Sequence, residues 1–106
     1  MLDWHPRRGS EQGGFRPAVI VQSDLGNLAP GARTTIVVPL TTQGRPYLFY
    51  VPVQKGKDTG LKDSSWANCT QVLTLDKERL VQRLGVVNPQ VMEAIGRALK
   101  DTLELA

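Results

Sequence analysis

Two β-rich runs in this chain, 34–42 and 47–54, each carry an internal proline, Pro39 and Pro52. Proline has no N–H to give to a ladder, so each run needs a bulge or an open edge at that point. The residues between the runs, Gln43-Gly44-Arg45-Pro46, have turn composition and predict a hairpin. These features point to a small, strongly bent sheet and argue against a flat one.

The other segments fit around that sheet. Residues 15–22 form a near-continuous apolar run between Gly13-Gly14 and Ser23-Asp24, which predicts a strand buried on both faces. Residues 24–33 and 55–65 are rich in glycine and polar groups and predict loops. The stretch 66–75 can supply a fourth strand. Asp76 then offers an N-cap for a short helix over 77–84, with Gly85 as its stop. Asn88-Pro89 is a second helix start, and Met92, Ile95, Leu99 and Leu103 fall on one helical face, read as core. The expected fold class is α+β: a small antiparallel β-barrel covered by one long C-terminal helix.

At 106 residues the chain predicts a single domain spanning 1–106, too small for a deep private active site. A surface groove, or one shared between subunits, is expected. No apolar run approaches the about 18 residues of a membrane span, and no leader pattern opens the chain, so a cytoplasmic location is expected. One cysteine and one histidine leave no intrachain disulfide, zinc site or histidine pair to build. Cys69 is read as a small buried hydrophobe and His5 as a surface residue.

Charge is uneven. Residues 1–62 hold eight Lys or Arg against four Asp or Glu, whereas 63–106 hold five against six. A phosphate-bearing partner would therefore favour the first part, near Arg7, Arg8, Arg16, Arg33, Arg45, Lys55, Lys57 and Lys62. A solvated basic face accounts for the same pattern equally well.

The most unusual stretch is Gly9-Ser10-Glu11-Gln12-Gly13-Gly14-Phe15-Arg16-Pro17, which sets a carboxylate, an amide and an arginine around two glycines before a strand. Such a loop can bring backbone amides close to a ligand, or be a charged β-turn. Its pattern, followed by Ala18-Val19-Ile20-Val21-Gln22, Asp24 and Asn27, resembles the MazF/PemK family of toxin endoribonucleases. The later segments Val38-Pro39-Leu40-Thr41-Thr42, Gly60-Leu61, Ser65, Gln71 and Leu75-Asp76-Lys77-Glu78-Arg79-Leu80 continue the resemblance in order and spacing.

The resemblance implies a homodimer of SH3-like barrels, the fold shared with the CcdB toxins. It also implies an activity: cutting single-stranded RNA at short sequences, with no cofactor or metal, until a MazE-like antitoxin protein blocks the groove. Carried over by position, it puts the catalytic arginine at Arg16 and the catalytic threonine at Thr41. It puts RNA contacts at Ser10, Glu11, Gln12, Phe15, Thr42 and Gln71. An exposed strand glutamine would explain Gln71 as well as a base contact does.

The implied chemistry is attack of a 2′-hydroxyl on the adjacent phosphorus, leaving a cyclic phosphate and a 5′-hydroxyl. An arginine fork can grip two phosphate oxygens where negative charge develops. A free guanidinium has a pKa above about 12, a poor match for a general base. Glu11 and a desolvated Arg16 both remain open for that role, behind positioning and charge stabilisation.

Two departures from the family pattern stand out. Relatives usually begin with a further strand-forming stretch before an aromatic residue, so the first strand here is expected to be short. Leu73 stands where relatives commonly carry a basic residue. An alternative of the same fold is a CcdB-like toxin that inhibits gyrase without catalysis, in which Arg16 would be structural.

Overall fold

The computed structural model describes residues 2–3, 15–23, 26 and 28–105. Seven strands are described: β1 (Leu2–Asp3), β2 (Phe15–Arg16), β3 (Ala18–Ile20), β4 (Thr34–Thr41), β5 (Tyr50–Val53), β6 (Ser65–Asn68) and β7 (Leu73–Asp76). They are followed by a single long helix, α1 (Pro89–Leu103).

β4 organises the sheet. One edge pairs antiparallel with β3, setting Ala18 against Pro39, Val19 against Val38 and Ile20 against Val37. The other edge takes β7 along its first half, from Thr34–Asp76 to Val37–Leu73, and β6 at its end, with Leu40 against Ala67 and Thr41 against Trp66. β5 lies outside β6, again antiparallel.

Both prolines sit where a missing N–H does least harm. The Leu40 N–H donates to the Pro17 carbonyl at 3.1 Å, towards β3. Alternation along a strand therefore turns the Pro39 nitrogen to the opposite edge. At that place β6 has ended and β7 has not begun. On β5, the Cys69 N–H donates to the Phe49 carbonyl at 3.0 Å, so Phe49, Val51 and Val53 face β6 and the Pro52 nitrogen faces the open edge. The break and the edge expected from the sequence are both present.

Other expectations need correction. β4 and β5 are not a hairpin, because β6 pairs between them and the 42–49 connection must cross it. The 15–22 run is split at Pro17, and Ile20 is 45% exposed, so it is not buried on both faces. Among the described residues the two end strands of the five-stranded sheet, β3 and β5, do not pair, so the small antiparallel barrel is left open between them. The antiparallel sheet with one C-terminal helix is as expected.

The helix predicted over 77–84 is only a 3-10 turn at Lys77–Arg79, and the Asp76 side chain makes no capping bond. Tertiary contacts win over the local signals there. The Val86 N–H donates to the Asp58 carbonyl at 2.8 Å. A Cβ on Gly85 would overlap the Asp58–Thr59 backbone, and one on Gly60, at φ 72°, would overlap the Leu84 carbonyl. The segment is held extended against the 55–64 loop, where a helix could not approach so closely.

Most of the core lies on one face of the sheet, where Val19, Val38, Leu40, Val51, Val53, Ala67 and Cys69 meet Ile95 and Ala98 of α1, while Thr35 and Val37, which alternate to the other face of β4, are also buried. Complete burial of Ile95 contributes roughly 1.5–3 kcal/mol. Met92 and Leu99 pack at the margin of this cluster, whereas Leu103 is 55% exposed, so the predicted stripe ends one turn early. The Asn88 side chain accepts the Val91 N–H at 2.8 Å, which is the cap expected from Asn88-Pro89.

Candidate nucleic-acid interface

The opposite face of the sheet carries the candidate site. The Leu40 N–H bond to the Pro17 carbonyl brings Arg16, one residue before Pro17, near Thr41, one residue after Leu40, while Arg16 itself belongs to β2 and pairs with Leu2 of β1. Directly opposed residues project to the same face, with Cβ atoms about 4.5–5.5 Å apart. Thr41 is opposite Trp66, and Trp66 is opposite Pro52. Thr41, Trp66 and Pro52 thus form one row across the sheet, with Thr41 and Trp66 half-buried, and exposed Arg16 stands near its Thr41 end.

Thr41 also begins the 42–49 crossing. Its Oγ1 accepts the Gln43 N–H at 3.1 Å, which bends the chain immediately after β4. Gly44 then lies against the Trp66 indole so closely that a Cβ would overlap the ring. The connection therefore runs over β6 on the same side as Trp66. It leaves Thr42 and Arg45 exposed and reaches β5 through the turn 47–50, closed by the Tyr50 N–H on the Tyr47 carbonyl at 3.1 Å.

Gln71 is exposed on a neighbouring turn. The buried Asn68 organises it: Oδ1 accepts the Thr70 N–H at 3.1 Å and the Thr70 hydroxyl at 2.6 Å. The Asn68 carbonyl accepts the Gln71 N–H at 3.2 Å. This side-chain-mediated turn takes the chain from β6 into β7. The Cys69 N–H bond to Phe49 ties it to the turn 47–50. Gln71 thus sits at the far end of the same sheet, separated from Arg16 and Thr41.

The topology also divides the predicted cations. Arg45 rides on the 42–49 crossing, and exposed Lys55, Lys57 and Lys62 lie on the loop between β5 and β6, at the Thr41 end. Arg33 precedes β4 and stands at the other end. Cys69 is fully buried, and burial pushes its thiol up to about 11, which suits the small hydrophobe expected. Among the described residues no group of three or more His, Cys, Asp or Glu is placed to hold a metal ion.

A cavity of about 910 Å³ opens between β3 and the 80–87 segment, with Leu40, Val53 and Met92 in its wall and Arg83 as its single charged lining residue. It is apolar and offers no acid or base for phosphate chemistry. The Arg16–Thr41 pair is the better candidate on chemical grounds.

Ser10, Glu11, Gln12 and His5 lie outside the described residues, as do Asp24 and Asn27. Phe15 is placed in β2 by its backbone, beside Arg16. Sequence reasoning passed over Tyr47, Asn68 and Trp66. The available signal was the crowding of three of the six aromatic residues into 47–50.

A profile of the family described as "PemK-like, MazF-like toxin of type II toxin-antitoxin system" matches residues 1–103. The chain is 33% identical over 105 residues to endoribonuclease EndoA of Bacillus subtilis, a match that covers 97% of this chain and 88% of that protein. It is 37% identical over 109 residues to endoribonuclease MazF of Staphylococcus saprophyticus, covering 99% and 87%. Among solved structures, an endoribonuclease in complex with its cognate antitoxin from Mycobacterial species superposes with a TM-score of 0.75 at 30% identity, over 88% of this chain and 84% of that one. The Mycobacterium tuberculosis toxin MazF-mt6 shares the fold, with a TM-score of 0.75 at 24% identity over 86% and 88%.

Proposed function

Because the chain belongs to the PemK-like, MazF-like toxins of type II toxin–antitoxin systems, we propose that it is a metal-independent endoribonuclease that cleaves single-stranded mRNA. Three of the relatives named above are endoribonucleases, and one of these was solved with its antitoxin. The observation that carries the reading is the hydrogen bond between Leu40 and Pro17, which brings exposed Arg16 near Thr41 at the end of β4.

In the proposed reaction the 2′-oxygen of one nucleotide bonds to the adjacent phosphorus as its proton leaves. The bond from phosphorus to the 5′-oxygen breaks, and that oxygen takes up a proton. The products are a 2′,3′-cyclic phosphate and a 5′-hydroxyl. The Arg16 guanidinium holds two non-bridging oxygens and stabilises the charge that grows on them. The Thr41 hydroxyl donates to the same phosphate while its oxygen keeps the Gln43 N–H. Glu11 is the carboxylate proposed to take the 2′ proton.

RNA contacts Phe15 and Thr42 near Arg16 and reaches Gln71 at the far end of the sheet, with Ser10 and Gln12, which precede β2 in the sequence, as further contacts. The protein acts as a homodimer in the cytoplasm, where an antitoxin of the MazE kind, rich in acidic groups, covers the basic end of the sheet.

The test is incubation of the purified protein with a long single-stranded RNA in EDTA, beside an Arg16→Ala variant whose fold is checked by circular dichroism. Cleavage by the parent alone, with cyclic-phosphate ends, is the expected result. Intact RNA from a folded parent, or equal cutting by the variant, overturns the assignment.

A further inference from the structure

The phosphate chemistry makes no use of the aromatic cluster on the 42–49 crossing. Tyr47 is 52% exposed, yet two neighbours brace its ring. It meets Phe49 edge to face with centroids 5.7 Å apart, and Tyr50 likewise at 5.6 Å, both at an interplanar angle of 89°. The hydrogen bond from Tyr50 to the Tyr47 carbonyl fixes the backbone beneath it. An aromatic ring ordered in this way, with about half of its residue left to solvent, is prepared to receive another flat ring.

Its position suits an RNA held at Arg16. Tyr50 is two residues from Pro52 on β5, so it projects to the same face as Pro52, Trp66 and Thr41. Two strand spacings separate β5 from β4, and Arg16 lies just beyond Thr41, which with the step along β5 puts the cluster roughly 15 Å from the arginine. A few nucleotides of extended chain bridge such a gap. Gln71 lies on the adjoining turn, tied to this one through Cys69 and Phe49, and Arg45 precedes the cluster on the crossing itself.

We propose that Tyr47 is a stacking platform for a nucleobase flanking the cleaved phosphate, and so a specificity-determining residue. The proposal rests on the ribonuclease reading. Every nucleobase offers a flat face, so stacking supplies affinity. The neighbouring Gln71 amide can then favour one base edge over another.

The experiment uses the intact protein with Tyr47→Ala and Tyr47→Phe variants, each checked for fold by circular dichroism. Cleavage of a long RNA by the parent first locates a cut site. An oligonucleotide spanning it, with deoxyribose at the attacking position to prevent cleavage, then carries 2-aminopurine at successive positions. One flanking position is expected to lose fluorescence with the parent and with Tyr47→Phe, and not with Tyr47→Ala. Tyr47→Ala should raise Kd and KM for the long substrate by roughly tenfold to a hundredfold. Its kcat should be preserved, and it should cut a dinucleotide as well as the parent does.

Unchanged Kd and fluorescence in Tyr47→Ala, an equal loss on the dinucleotide, or failure of Tyr47→Phe to behave as the parent would overturn the platform. A parent that binds RNA and never cuts it sinks the ribonuclease reading alone. In that case the fluorescence is read on a deoxy-free oligonucleotide of arbitrary sequence and still decides the role of Tyr47. A parent that binds no RNA overturns both.

Discussion

Arg16 and Thr41 flank the 3.1 Å hydrogen bond between the Leu40 N–H and the Pro17 carbonyl, one residue before Pro17 and one after Leu40. Thr41 ends β4, a strand with partners along both edges, and Arg16 lies on β2, paired with β1. A guanidinium and a hydroxyl placed on such strands need little rearrangement when a phosphate gathers charge between them.

Arg16→Ala is expected to lower kcat by roughly a hundredfold to a thousandfold. Arg16→Lys should recover only part of the loss, because an ammonium keeps the charge without the two-pronged grip. Single-turnover cleavage of a labelled oligonucleotide measures both. Equal rates for the lysine variant and the parent would mean that charge alone is required.

Thr41→Val removes the hydroxyl and the acceptor of the Gln43 N–H, while Thr41→Ser keeps both. The valine variant should lose at least tenfold in kcat, with stability within about 1 kcal/mol of the parent. Serine should restore most of the rate. Stability comes from urea titration and the rate from the same oligonucleotide.

Two glycines predict opposite signs. Gly44→Ala drives a methyl group into the Trp66 ring and should cost roughly 1–3 kcal/mol. Gly96, inside α1, has open space where its Cβ would go, so Gly96→Ala should stabilise by roughly 0.5–1 kcal/mol. Thermal and urea unfolding of the two variants check the contrast.

Cys69 makes stability depend on alkaline pH. Burial raises its thiol from 9.0 to about 11 in the folded protein. The native state therefore holds a proton that the unfolded chain has already released. The sign follows: stability is intact below pH 9 and declines as pH rises towards 11, by about 1.4 kcal/mol per pH unit at the steepest. Urea unfolding of the parent should fall more steeply over that range than that of Cys69→Ala, and parallel curves would contradict the assignment.

Several parts of the fold were legible because their causes are local. Asn88-Pro89 announces α1 through a cap that needs only Val91, three residues on. Pro39 and Pro52 announce a break and an edge because a missing N–H acts at its own residue. The insertion of β6 between β4 and β5 was hidden, since turn composition at 43–46 reports that the chain bends and not what it bends across. The helix expected after Asp76 failed for a similar reason: Gly85 reads as a stop, but its smallness serves a backbone contact with Asp58 and Thr59.

The site was legible at Arg16, Thr41 and Gln71 through family resemblance and not through spacing. Arg16 and Thr41 are 25 positions apart in the sequence, and the Leu40–Pro17 hydrogen bond beside the β3–β4 pairing brings them near each other. Tyr47 escaped notice because an aromatic run reads as strand composition, and its orientation depends on the crossing that β6 imposes.

The central claim is that Arg16 and Thr41 act together on one phosphate, and a double-mutant cycle tests it most directly. Single-turnover rates would be measured for the parent, Arg16→Ala, Thr41→Val and the double variant, each with its fold verified. Strong non-additivity is expected, with the double variant little slower than Arg16→Ala alone and a coupling above about 1 kcal/mol. Losses that simply multiply would show that the two residues act independently and would contradict it.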